Sequence, residues 1–342
     1  AGALGVGASA FGSGAVGAAD YATAAGYGAV ASGINSAAFG AAAEASGAGS
    51  VAVGGNAVDE DGDPIITDTN GNPITTGATS AGLGGTAIGA SANAGGFAST
   101  ALGLGAYASG AQSLALGAVA NAVGDYSLAV GTQSAAIGNG SVAVGGSAEL
   151  IPGSGFYVDT VANGEQATAL GAGAIATADL STAVGAISAA EGIGSTAVGY
   201  FAYAPGDNAT ALGINSWASG ESSVAIGDSS TAFNANSVAL GDHSFTDRDN
   251  SVAVGDTANG LTRQITGVAD GTEDTDAATV GQVKQATSNS RFFQADGATD
   301  GSEDASATGV HSVASGAGSA ASGESSTAVG GIYTDSDGTS YS

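Results

Sequence analysis

A fourteen-residue clock runs through most of this chain, and any fold assigned to it has to keep that time. The phrase Ser-x-Ala-(apolar)-Gly recurs from Ser99 to Gly103, Ser113 to Gly117, Ser127 to Gly131 and Ser141 to Gly145, so the closing glycines stand fourteen apart. After a gap the same spacing carries through Gly171, Gly185, Gly199, Gly213, Gly227, Gly241 and Gly255. In looser form it marks Gly12, Gly26, Gly40 and Gly54 upstream, and Gly89 leads into Gly103. A second glycine often falls halfway, as at Gly33, Gly47, Gly110, Gly124, Gly138, Gly192, Gly206 and Gly220. Each period therefore splits into two halves, each long enough for one short strand and one tight bend. Self-similarity at a fixed period is the mark of a solenoid, in which neighbouring coils complete one another.

Within the phrase, residue types alternate as a strand with period two requires. Ser, Ala and Gly hold positions one, three and five, so one face carries only small groups. Position four is always apolar (Phe39, Ile88, Leu102, Val184 and Leu240 among others), while position two varies among Thr, Val, Leu and Ala. A coil that closes this quickly has a lumen too narrow for more than alanine or serine, because interiors are close-packed. The small face must line the lumen and the Val, Ile and Leu column must face out. Over sixteen coils that column is roughly 80 Å tall at the strand spacing of about 4.8 Å. Monomers rarely expose so large an apolar stripe, so it predicts burial against further copies of the chain, three stripes meeting on one axis.

Two interruptions stop the clock. Between Gly54 and Gly89 comes an acidic run, Asp59, Glu60, Asp61 and Asp63, then a segment that reads as a β-hairpin around Asn70-Gly71. Between Gly145 and Gly171 comes a second, through Ile151, Pro152, Phe156 and Tyr157. Insertions into a solenoid project from its surface, so these loops are where individual specificity can be carried. After Gly255 the pattern ends. Thr275 or Asp276 is placed to cap a short helix, on which Val280 and Val283 start a coiled-coil seam. The phrase returns at Ser312 to Gly316 and Ser326 to Gly330, the start of a second repeat block. The expected organisation is a head over 1–258 with insertions at about 55–84 and 146–166, a neck and helical segment over 259–291, and a second head-like block over 292–342.

Composition removes several functions. Acidic residues number 31 against four basic ones, Arg248, Arg263, Lys284 and Arg291, for a net charge of -27. Nucleic acid and anionic lipid need clustered cations, which are missing here, so neither is an expected partner. With no cysteine, disulfides and thiolate chemistry are out. The uncharged stretch from Ser80 to Gly124 is broken too often by Gly, Ser and Thr to form a membrane span. The chain opens at Ala1 without Met, which suggests a fragment whose leader and membrane anchor lie outside it.

Taken together, the repeat and the segment after it resemble the trimeric autotransporter adhesins, specifically the YadA-like head with its Asn-Ser-Val-Ala-Ile-Gly phrase. That phrase stands nearly whole at Asn236 to Gly241 and Asn250 to Gly255, and the stretch from Arg263 to Lys284 is similar to the family's neck. The resemblance implies an all-β fold, a left-handed parallel β-roll in each of three chains, followed by a neck with a short helical segment. It further implies a homotrimer displayed on the outer surface of a Gram-negative cell. Its expected partners are extracellular matrix proteins, host cells, abiotic surfaces or neighbouring bacteria, with no catalysis and no cofactor. No ligand-binding residue is carried over.

Other chemistries have weak support. Gly12 to Gly17 matches G-x-G-x-x-G, but in a chain with 61 glycines chance matches are expected and no helix pattern comes after it. The Asp59 to Asp63 run has oxygen ligands for Ca²⁺ but not at EF-hand spacing, so a solvated loop is the expectation. His243 and His311, the only histidines, lack partners for a relay or metal site and are expected in turns. Tyr200, Phe201, Tyr203 and Trp217 are placed in the turn halves of their coils as contact anchors or local packing. The alternative function is an ice-binding solenoid using the ladder Thr168, Thr182, Thr196 and Thr210, which gives way to Val224, Val238 and Val252. A left-handed β-helix acyltransferase would need hexad repeats, not sevens.

Overall fold

The computed structural model describes residues 1–67, 71–288, 305–316, 318–330, 333–334 and 340–341. They fall into two compact units, Ala1–Arg263 and Gln264–Ser342. The first is a parallel solenoid of two sheets, one of sixteen strands and one of fifteen, and successive coils add one strand to each in turn. We call them the long-strand and short-strand sheets, after their mostly three-residue and two-residue strands. Register repeats the clock rung by rung: Thr86 pairs with Thr100, Thr100 with Leu114, Leu114 with Leu128 and Leu128 with Val142.

The lumen is as narrow as the phrase requires. Alanines at position three, such as Ala101, Ala115, Ala169 and Ala211, are fully buried, and the largest fully buried side chains are Thr160, Thr246 and a run of serines. Among the described residues no Leu, Val, Ile or Phe belongs to the core. Many of the buried serines also tie down their own bend: Ser99, Ser113 and Ser216 donate through Oγ to the carbonyls of Gly96, Gly110 and Gly213 at 2.9, 2.7 and 2.9 Å. The hydroxyl thus satisfies a backbone acceptor in a place too small for anything longer.

Stacking at strand spacing explains both glycine columns. A Cβ on Gly110 would stand 1.9 Å from the carbonyl oxygen of Gly124, and one on Gly103, whose φ is +138°, would stand 2.3 Å from that of Gly117. Two residues after each such bend position, whether or not it holds glycine, the chain passes through the left-handed region, and here side chains are tolerated: Asn208, Asn236 and Asn250 have φ of 55°, 52° and 54°. Asn opens the Asn-Ser-Val-Ala phrase because it occupies that region more readily than most residues. Even Val119 and Ile187 are held there, their N–H groups bonded to the carbonyls of Leu104 and Ala172 one coil back at 2.8 and 2.9 Å.

Neither insertion disturbs the register. Val51 pairs with Thr86 where an unbroken clock would offer Ile65, and Val142 pairs with Thr168 where it would offer Phe156. Both excursions are shorter than the expected 55–84 and 146–166, since Thr79–Ser80 and Val161–Ala162 are already strands of the short-strand sheet. A strand of two residues carries too little pattern to be seen before the first complete phrase. The first excursion contains antiparallel bridges Val58 to Pro64 and Thr67 to Pro73, and the turn expected at Asn70-Gly71 lies largely outside the described residues. The second contains an antiparallel pair, Ala148–Glu149 with Tyr157–Val158.

In the second unit, the helix spans Val280–Ser288 and its cap is Thr279, not Thr275 or Asp276. Thr279 Oγ1 accepts the Gln282 N–H at 3.2 Å while Gln282 Oε1 accepts the Thr279 N–H at 3.0 Å, a capping box. Asp276 instead accepts the N–H groups of Thr272 and Glu273, which hold its pKa below the ordinary carboxylate value. Further on, Val313–Ser315 pairs in parallel with Thr327–Val329, and Ser306–Ala307 with Ala320–Ala321, the same two-strand coil again.

Candidate binding surface

With its lumen filled, the first unit has only its exterior for binding, and its two sheets present different faces. On the long-strand sheet the position-four residues form a column in register, Leu102 on Leu116, Val184 on Val198, Leu212 on Ile226 and Ile226 on Leu240. Leu102 and Leu212 are 40% and 44% exposed in the single protomer. Beside this column the threonines Thr168, Thr182, Thr196 and Thr210 do stack in register, but the ladder ends at Val224 and runs alongside aliphatics. That gives an ice-binding surface little support.

The short-strand sheet is mixed on its outward face, with Glu44, Asn93, Asn121 and Ala135 among the stacked residues. Polar and charged rungs of this kind do not make a continuous dry seam. Towards the end of the roll the face becomes aromatic. Tyr203 and Trp217 lie on strands and not in turns as expected, stacked in register with ring centroids 5.7 Å apart. Trp217 meets Phe233 edge to face at 4.9 Å, and Phe233 meets Phe245 at 5.7 Å. Tyr200 and Phe201 are turn residues as expected, packed edge to face at 4.8 Å. The Tyr203 hydroxyl donates to Glu191 at 2.7 Å, and that bond, with burial, pushes its pKa up to about 12.

The two edges of the roll also differ. Both excursions leave by the edge that runs from long to short strand, after Gly54 and Gly145. The second is braced by Glu149, whose Oε1 accepts the Gly155 N–H at 2.8 Å; backbone donors at Gly153 and Gly155 hold its pKa below the usual value. The opposite edge keeps one turn length throughout the roll and carries carboxylates that clamp coil to coil. Asp125, Asp179, Asp207 and Asp249 each accept, through Oδ1, an N–H fourteen residues earlier, at Ala111, Glu165, Ile193 and Ala235. Sequence reasoning passes over these; their signal is an acidic residue one place after the half-period position, whether that position is glycine, as in Gly124-Asp125 and Gly206-Asp207, or not, as in Ala178-Asp179 and Arg248-Asp249.

Arg263, read from sequence as part of the neck, closes the end of the roll. Its Nη1 donates to the Val254 carbonyl at 2.7 Å and to Ser244 Oγ at 3.0 Å, and its guanidinium lies against Gly241 where no Cβ stands in the way.

The remaining sequence candidates separate. Gly12 and Gly14 are ordinary bend glycines followed by the strand Val16–Gly17, without the helix a phosphate loop needs. Within the acidic run, Asp59 Oδ1 is taken up by the N–H groups of Asp61 and Asp63 at 3.0 and 2.9 Å. Among the described residues no group of three acidic or histidine side chains is placed to hold a metal ion. His243 and His311 occupy left-handed turn positions, φ 54° and 58°. No helix among the described residues is long and apolar enough to cross a membrane.

Comparison with known proteins gives a consistent picture. The YadA head domain repeat family matches residues 31–57, 94–120, 122–148, 162–188, 190–216, 218–244, 234–258 and 307–331. The coiled stalk of trimeric autotransporter adhesins matches 264–305. No curated protein matches the chain. Among solved structures, the chain is similar to the collagen-binding domain of the Yersinia adhesin YadA, with 30% identity over 66% of this chain and 95% of that one and a TM-score of 0.35. With head repeats over more than half of its residues and a stalk match between head blocks, this chain belongs to the YadA-like trimeric autotransporter adhesins.

Proposed function

We propose that this chain is the head of a bacterial surface adhesin which, as a homotrimer, attaches the cell to extracellular matrix proteins, host cells, abiotic surfaces or neighbouring bacteria. The observation that carries this reading is the filled lumen: with only Ala, Ser and Thr inside, every contact with another molecule has to be made by the outer faces and the excursions. Enclosure of a substrate, which most catalysis relies on, has no place in such a coil. Membership of an adhesin family points the same way. We place the head over 1–258, the neck over 259–291 and a second head block from 292, displayed on the bacterial surface at the outer membrane.

Arrays of matrix proteins and glycans, probed with the purified trimer, test attachment. Saturable binding to a matrix component supports host adhesion. A silent array with positive clumping of cells displaying the head makes contact between bacteria its function, and silence in both assays overturns the reading.

A further inference from the structure

We propose that the outward face of the short-strand sheet between Glu191 and Asp247 is a docking site for a basic segment of a partner protein, with Tyr203, Trp217, Phe233 and Phe245 as its platform. The inference rests on the adhesive reading above and names a place and a chemistry for it. The four rings form a chain of contacts at 5.7, 4.9 and 5.7 Å across successive coils. Trp217, Phe233 and Phe245 remain 41%, 42% and 37% exposed.

The fold does not need them. The alanines behind the rings, Ala204, Ala218 and Ala232, are already fully buried, and elsewhere the column of Tyr203, Trp217 and Phe245 is served by Val16, Asn93, Asn121 or Ala135, while Phe233 stands just after its strand. Subunit contact does not account for them either, because the continuous aliphatic column lies on the other sheet. The rings pack on one another and still leave over a third of Trp217, Phe233 and Phe245 open to solvent, and a row of exposed aromatics of this kind marks an interaction surface.

Charge selects the occupant. Glu191, bonded to the Tyr203 hydroxyl, supplies the carboxylate at one end of the platform, while at the other end Asp247 is already paired with Arg248 at 3.5 Å, which directs an incoming cation to the Glu191 end. The chain as a whole carries -27. An acidic partner is repelled, whereas Arg and Lys find ring faces and carboxylates together. A cation over an aromatic face changes affinity by roughly twofold to thirtyfold.

Trp217 is the chain's single tryptophan, so its fluorescence reports this site and no other. The trimer is titrated with a synthetic peptide of repeating Gly-Ser-Arg, with a Gly-Ser-Glu counterpart, and with maltoheptaose as a neutral sugar. The expected result is a saturable emission change with the Arg peptide alone, weakened by added salt, and affinity about tenfold lower in Phe233→Ser and Tyr203→Ser. Circular dichroism and sedimentation of these variants should match the parent, since both substituted side chains point outward. An unresponsive Trp217, a response to maltoheptaose equal to that of the Arg peptide, or unchanged affinity in both variants overturns the site. If the double variant still binds the matrix array at full strength, the docking site fails while adhesion stands. If the Arg peptide binds but the array and clumping assays stay silent, adhesion fails while the site stands.

Discussion

Leu212→Asp tests whether the aliphatic column is the seam between subunits. Leu212 stacks between Val198 and Ile226 and is 44% exposed in one protomer. Full burial of a leucine side chain is worth about 1.5–3 kcal/mol, so covering what remains exposed is worth about 1 kcal/mol per subunit and about 3 kcal/mol per trimeric rung. Aspartate forfeits that and brings three carboxylates together near a dry axis, at a further cost of several kcal/mol. The trimer should lose at least about 5 kcal/mol, raising its dissociation constant by more than about a thousandfold. The protomer should still coil, because position four faces away from the lumen. Leu83→Asp is the matched control: Leu83 is 55% exposed in the opposite turn, at the position that Asp125 and Asp179 hold in later coils, and its neighbours one coil away are the uncharged Ala48 and Phe97, so the same chemical change should be close to neutral. Sedimentation and thermal melting read both variants. Equal trimer stability in the two, or a parent chain sedimenting as a single folded protomer, would refute the seam.

Particular contacts elsewhere in the chain set four further expectations. Gly110→Ala drives a Cβ to within 1.9 Å of the Gly124 carbonyl and should cost about 2–4 kcal/mol, whereas Gly28→Asn, in open space at φ +64°, should stay within about 0.5 kcal/mol; chemical denaturation separates them. Thr279→Ala removes the capping box and should cost the helix about 1 kcal/mol, seen as lost far-ultraviolet dichroism in the neck. Tyr203, with its pKa raised to about 12 by Glu191, should ionise well above the ordinary phenol value. The Glu191 contact favours the folded state below pH ~10, the ordinary phenol value, and that contribution fades as pH climbs through 12; in Glu191→Gln the lag in phenolate absorbance should shrink. Glu149, held below its usual pKa by backbone donors, braces the second excursion above the ordinary carboxylate range and releases it as pH falls through its lowered value; amide exchange at Gly155 should then quicken, as it should at neutral pH in Glu149→Gln.

Much of the roll is legible from Ser99-Thr100-Ala101-Leu102-Gly103 alone. Alternation fixes which side chains share a face, and size fixes which face fits a closed coil, so lumen and stripe are determined before any contact is known. The features that stay hidden depend on contacts between coils. Asp125 looks like a surface acid until the coil carrying Ala111 is laid beside it, and Arg263 looks like a neck residue until its guanidinium reaches the Val254 carbonyl. Tyr203 and Trp217 read as turn residues in sequence because two-residue strands barely register against the bends that flank them. The true cap is nonetheless visible: Thr279-Val280-Gly281-Gln282 is a capping-box sequence, and the acidic Asp276 upstream competes with it as a candidate.

The separation between what builds this head and what it shows to its surroundings has one physical cause. Side chains in the lumen and glycines at the bends are each constrained by a neighbouring coil a strand spacing away, so almost any change there is felt. Outward positions of the short-strand sheet, and the chain that leaves the roll after the bend glycine of a long-to-short turn, carry no such constraint. An excursion leaves at Gly54 or Gly145 and the strands on either side pair as though nothing intervened. Its main cost is loop-closure entropy, which grows only logarithmically with length. Recognition can therefore be rewritten at Tyr203, Trp217 and the two excursions while Ala204, Ala218 and the glycine columns keep the coil intact. If that is right, replacing the second excursion with the plain four-residue bend found at Gly171 to Ala174 should leave melting of the trimer nearly unchanged and alter only what it binds.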